Sequence, residues 1–92
     1  MEFHWNDDKD ALLRRERSIG FADVVQALSQ GKLLATMPHP NTARYPQQLI
    51  YVVQINGYAY LVPYMHEQDG IFLKTIIPSR KATRLYLSRS DL

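Results

Sequence analysis

The sequence has no cysteine, so disulfide staples, thiolate metal sites and thiol nucleophiles are absent from its chemistry. Glycine is scarce, four in 92 residues, and none of the four falls into a G-x-G-x-x-G or Walker-type phosphate loop. The three histidines, His4, His39 and His66, are far apart and no pair has ligand spacing on one element. That pattern predicts no metal and no cofactor. No G-x-S-x-G elbow appears. No apolar run approaches the ~20 residues of a membrane helix. The acidic, polar opening Met1-Glu2-Phe3-His4-Trp5-Asn6-Asp7-Asp8 does not read as a signal peptide. The expectation is a single cytoplasmic domain over residues 1–92, without membrane association.

What is present is a core-forming composition with an uneven charge. Hydrophobic residues make up 46 % of the chain, enough for one modest core at a size that buries roughly two thirds of the unfolded surface. The formal net charge is +2, but its two halves oppose each other. Residues 1–31 carry four basic and six acidic side chains, whereas residues 32–92 carry seven basic and three acidic. From residue 71 onward Lys74, Arg80, Lys81, Arg84 and Arg89 stand against Asp91 alone. A basic end on a near-neutral domain suits an anionic partner; the alternative is a solvated helix face.

Along the chain, Asp7 to Arg17 predicts a helix, capped by Asn6 or Asp7, with acids in its first turn and arginines in its last. After Gly20, Phe21, Val24, Val25 and Leu28 recur at amphipathic spacing and predict a second helix, ended by Gly31. These four residues are expected against a sheet, near Val53, Ile55 and Leu61. Leu33 to Met37 reads as an edge strand and the Pro-rich stretch 38–46 as a loop. Leu49 to Ile55 suits a central strand, Asn56-Gly57 a hairpin turn, and Tyr58 to Tyr64 the returning strand. Asp69-Gly70 leads into a strand Ile71–Ile77, stopped by Pro78, and Ser79 caps a last helix from Arg80 to about Leu87, with a frayed tail over Ser88–Leu92. The order predicts an α+β fold: two N-terminal helices, an antiparallel sheet of three to four strands and a C-terminal helix.

The segment from Lys74 to Tyr86 holds the densest chemistry. Arg80 and Arg84 are four apart and share a helical face, Lys81 lies to one side, and Ser79 opens the helix. Lys74 is expected on one strand face with Phe72 and Ile76, aimed towards the helix start. Such a set neutralises a phosphate and stabilises the added charge of a phosphorane. The bland alternative pairs Arg80 and Arg84 with Asp7, Asp8 or Asp10 across the sheet. Tyr45 and Tyr86, like the other tyrosines and Trp5, can stack on unpaired bases, although packing in the core is the commoner fate.

Three segments together resemble a known family. Phe3-His4-Trp5-Asn6 with Lys9 resembles the F-x-W-[D/N]-x-x-K opening of BrnT-like toxins of bacterial type II toxin–antitoxin systems. Ile19-Gly20-Phe21-Ala22-Asp23-Val24 resembles their approach to helix two, and Ile76-Ile77-Pro78-Ser79-Arg80-Lys81-Ala82-Thr83-Arg84-Leu85-Tyr86 resembles their I-I-S-A-R-[R/K]-A-T ending. The resemblance implies a RelE/ParE-like fold and a ribonuclease that inhibits translation. It also implies a cognate antitoxin, often of ribbon-helix-helix type, through which the pair contacts DNA indirectly.

On this basis the expected activity is metal-independent endonucleolytic cleavage of RNA through the 2′-OH. Arg80, Arg84 and Lys74 are the catalytic candidates; Arg44, Tyr45, Lys81 and Tyr86 are the substrate-binding ones. His39 and His66 are weak candidates for proton transfer. The alternative is a non-catalytic module that partners a DNA-binding antitoxin or regulator.

Overall fold

The computed structural model describes residues 2–88. The chain runs β1 (Glu2–His4), α1 (Asp7–Arg17), α2 (Phe21–Ser29), β2 (Leu33–Pro38), β3 (Leu49–Ile55), β4 (Tyr58–Glu67), β5 (Gly70–Leu73), β6 (Ile77–Pro78) and α3 (Arg80–Leu87). The sheet order is β1-β5-β4-β3-β2, with β6 continuing β5's side of β4. It is an α+β protein with three helices and a mixed sheet.

Both N-terminal helices form where composition and capping favour them. Asn6 is the cap of α1, its side-chain oxygen accepting from Lys9 N–H at 2.9 Å. Asp10 joins the helices: one carboxylate oxygen accepts from Phe21 N–H at 2.8 Å and the other from Arg14 Nε at 3.1 Å. In α2, Phe21 and Val24 are fully buried and pack with Leu13, Ile19, Val53, Ile55, Val62, Ile71, Leu73 and Ile76. Val25 and Leu28 sit at the margin of this cluster. Leu61 does not belong to it. It lies on the opposite face of the sheet, beside Val52, Ala59 and Ala82 of α3, because its strand neighbours Tyr60 and Val62 take the face towards α1 and α2.

The helices therefore cover both faces, α1 and α2 on one and α3 on the other. The expected antiparallel sheet of three to four strands is corrected in two places. First, β1 joins the edge in parallel with β5, pairing Phe3 with Ile71, which makes the sheet mixed. Three residues are too short to show a period, and their partner is far away in sequence. The pairing needs Gly70, where a Cβ would collide with the Glu2 carbonyl oxygen.

Second, the expected strand Ile71–Ile77 is broken. Tyr64 pairs with Leu73 and Leu61 with Ile77, so three steps along β4 oppose four on its partner, a bulge. Pro63 lies at this break; it offers a carbonyl to Lys74 N–H (2.8 Å) but has no N–H to return. The extra residue flips the alternation. Ile76 joins Ile71 and Leu73 on the face towards α1 and α2, so Lys74 does not share one face with both Phe72 and Ile76. Pro78 is the last residue of β6, paired with Tyr60, and the strand ends there as expected. The Asn56-Gly57 turn is as expected, with both residues at positive φ (54° and 77°), the backbone of a tight hairpin.

Candidate functional site: an exposed basic helix and the groove beside it

The start of α3 is grafted onto the free edge of β4. Ser79 N–H donates to Ala59 O (3.0 Å), and Ala59 N–H donates to Thr83 Oγ1 (2.9 Å). Thr83 Oγ1 in turn donates to Ser79 O at 2.8 Å, and Ser79 Oγ accepts from Ala82 N–H at 3.0 Å as the helix cap. These bonds fix the rotation of the helix. Ala82 is buried against the sheet, Tyr86 and Leu87 are half-buried, and Arg80, Lys81, Arg84 and Leu85 are exposed.

The expected Arg80/Arg84 face exists and points to solvent. Among the described residues the acidic partners proposed for it are not there: the carboxylate ion pairs are Asp10 with Arg14 and Glu2 with His4. Asp7, Asp8 and Asp10 belong to α1, on the other side of the sheet from α3. Among the described residues the cations of α3 have no acidic partner.

Between α3 and the sheet runs a groove of about 290 Å³, lined by Met37, Leu61, Lys81, Leu85 and Tyr86. Met37 leads by two residues into His39, where the 39–48 loop gathers a second group. The Arg44 guanidinium lies 5.4 Å from the Tyr45 ring centroid, and the Tyr45 and His39 rings are 4.5 Å apart. His39 Nδ1 accepts from Asn41 N–H at 3.0 Å. The neutral imidazole consequently carries its proton on Nε2 and can donate it outward. Asn41 also holds the loop, its side-chain oxygen accepting from Arg44 N–H at 3.1 Å.

Lysine 81 and Tyr86 line the groove, and Arg44 and Tyr45 sit in the loop that follows its Met37 wall. Lys74 is apart. It meets β4 at Pro63, whereas Ser79 meets it at Ala59, four residues or about 13 Å along the strand. The convergence of Lys74 on the helix start is therefore not formed. His66 packs edge-on against Tyr64 at 5.8 Å, away from α3 on β4's far end. Among the described residues no three of His, Asp or Glu gather as a metal-binding group, and no helix is long and apolar enough to cross a membrane.

The aromatic residues of the sheet face towards α1 and α2 serve packing. Tyr51 and Tyr64 stack at 3.8 Å, and Trp5 stacks on Phe21 at 5.7 Å. Burial, reinforced by the neighbouring Tyr64 phenol, pushes the Tyr51 hydroxyl up to about 12; burial likewise raises Tyr64. The His39–Tyr45–Arg44 group is what sequence reading undervalued. Its signal was the His-Pro-Asn turn, where Asn41 is well suited to fold the loop back on itself.

Fold and site together define a small α+β protein with an exposed basic helix whose cations have no acidic partner among the described residues. Comparison with family models, with curated proteins and with solved structures finds no match to this chain.

Proposed function

We propose that this chain is the toxin of a bacterial type II toxin–antitoxin pair, BrnT-like with a RelE/ParE-like fold, and that it cleaves RNA in the cytoplasm without a metal. The observation that carries this reading is the set Arg80, Lys81 and Arg84, exposed on α3 and without an ion-pair partner among the described residues. The sequence resemblance of the same segment supports it.

In this mechanism the RNA backbone lies along α3 and the groove. The 2′-hydroxyl gives its proton to water as its oxygen attacks the adjacent phosphorus, the P–O5′ bond breaks, the leaving 5′-oxygen takes a proton from water, and the products are a 2′,3′-cyclic phosphate and a 5′-OH. Arg80 and Arg84 stabilise the phosphorane charge, worth roughly 10²–10³ in rate for one donor. Lys81 and Arg44 hold flanking phosphates, and Tyr45 and Tyr86 stack on unpaired bases. His39, whose neutral ring carries its proton on Nε2, donates a hydrogen bond to the leaving 5′-oxygen or an adjacent phosphate oxygen. Lys74 serves as an outlying backbone contact. A cognate antitoxin, of ribbon-helix-helix type, neutralises the chain and carries the pair to DNA.

The test is purified protein with a defined RNA in EDTA. Fragments ending in cyclic phosphate and starting in 5′-OH are expected; cleavage that occurs only after a divalent ion is restored contradicts the mechanism.

A second reading is a non-catalytic module that binds a protein partner. The apolar groove favours it: Leu85 on its wall is 67 % exposed, a large hydrophobic group on the helix that carries Arg80, Lys81 and Arg84. Charge complementarity selects an acidic amphipathic segment as the occupant. Leu85→Asp then abolishes capture of that partner while RNA is left uncut by the wild-type protein as well.

A further inference from the structure

The second opening in the molecule lies at the other side of the β3–β4 hairpin, between its tip and α2, with a volume of about 420 Å³. One wall is the stripe Asp23, Gln26, Ala27 and Gln30, at the i, i+3, i+4, i+7 positions of α2 and its cap. The facing wall comes from Lys32 and the Asn56-Gly57 turn, and the nearly buried Ile19, Ala27 and Ile55 form the floor.

The composition is selective. Gln26, Gln30 and Asn56 bring three exposed carboxamides whose side chains bond nothing among the described residues. A carboxamide both donates and accepts in one plane, which matches the edge of a nucleobase. Ile19, Ala27 and Ile55 leave only a narrow apolar strip between the polar walls, so recognition here falls to the carboxamide edges. Charge balances, because Lys32 stands against Asp23, one of whose oxygens already accepts from Gly20 N–H at 2.8 Å. A neutral cleft of this kind takes the uncharged base and gives a phosphate no net attraction.

Its position connects it to α3. Asn56 and Gly57 form the hairpin turn, and Ala59, two residues on, is where Ser79 anchors the helix. A strand passing over the hairpin tip would reach the first turn of α3.

We propose that this cleft is the base-recognition subsite of the protein, accepting one unpaired nucleobase of a single-stranded RNA whose backbone continues over the hairpin tip towards α3. This rests on the ribonuclease reading for its RNA, but the cleft's own chemistry is separable from cleavage. Isotope-labelled protein is titrated with adenosine, adenosine 5′-monophosphate and inorganic phosphate, and the side-chain NH₂ signals of Gln26, Gln30 and Asn56 are followed by NMR. Adenosine and its monophosphate shift these signals and inorganic phosphate does not. In the Q26L/Q30L double variant, whose positions are exposed and leave the fold intact, affinity falls about fivefold for each neutral hydrogen bond removed. Shifts confined to α3 overturn the subsite while leaving the phosphate-binding role of Arg80 standing. No response at the three carboxamides to any of the probes overturns it, even where RNA is cleaved.

Discussion

The two faces of the sheet are built differently. The face under α1 and α2 buries Phe21, Leu13, Leu73, Ile76 and Val24 to 2 % exposure or less, with Tyr64 also in the cluster and Trp5 and Tyr51 filling its margin. The face under α3 has a buried cluster of only Val52, Ala59 and Ala82, and its helix is tied down by hydrogen bonds at its first turn. One face holds the fold together. The other holds a cationic helix in place over a small buried cluster ringed by half-buried side chains such as Leu61, Met37 and Tyr86, and leaves Leu85 in water. It is on this second face that the exposed cations of α3 find no acidic partner among the described residues.

The largest effect that this contrast predicts is on the first face. Val24 is fully buried and makes a sharper probe than the half-buried Val25. Val24→Asp places an unpaired carboxylate in that cluster at a cost of several kcal/mol, on the order of the whole stability. The expected outcome is loss of the cooperative thermal transition. A soluble Val24→Asp protein that melts cooperatively breaks the comparison.

A smaller effect is expected on the second face. Thr83→Val keeps the shape but removes the acceptor of the Ala59 N–H, leaving a buried donor unsatisfied at about 1–3 kcal/mol. The denaturation midpoint should fall by that amount, and RNA cleavage should fall with it because the helix start is no longer fixed. Unchanged stability would show that the anchoring bonds do not hold α3.

The third prediction concerns pH. Tyr51 has its hydroxyl raised to about 12 by burial, against 10.0 for the free group. Below pH 10 it is protonated in both states and its contribution is whole; between about pH 10 and 12 the unfolded chain ionises first, and stability is lost as pH rises. Denaturant midpoints through this range should decline more steeply for the wild type than for Tyr51→Phe. Parallel curves would mean that the ring pair is not buried as described.

Legibility in the sequence followed locality. The three helices and the β3–β4 hairpin were readable because their signals are short-range: Asn6 and Ser79 as caps, Phe21 and Val24 at helical spacing, Asn56-Gly57 as the turn. β1 was not, since Glu2–His4 becomes a strand only by pairing with Gly70–Phe72. The bulge was not, since it depends on Pro63 in the neighbouring strand lacking an N–H just where Lys74 passes. The same bulge removed Lys74 from the expected cation cluster, whereas Arg80 and Arg84 needed only helical periodicity to be placed together. The carboxamide cleft escaped notice because its residues are neutral and come from separate elements.

The central claim is that the cations of α3 act on RNA and not on the fold. It is tested most directly by Arg80→Ala, with cleavage rate and melting temperature measured on the same purified sample. The account predicts a rate loss of roughly 10²–10³ with stability changed by at most about 1 kcal/mol, as for other exposed charges. Arg80→Lys should fail similarly if the contact is bidentate. Full cleavage by Arg80→Ala, with the fold intact, would contradict the claim.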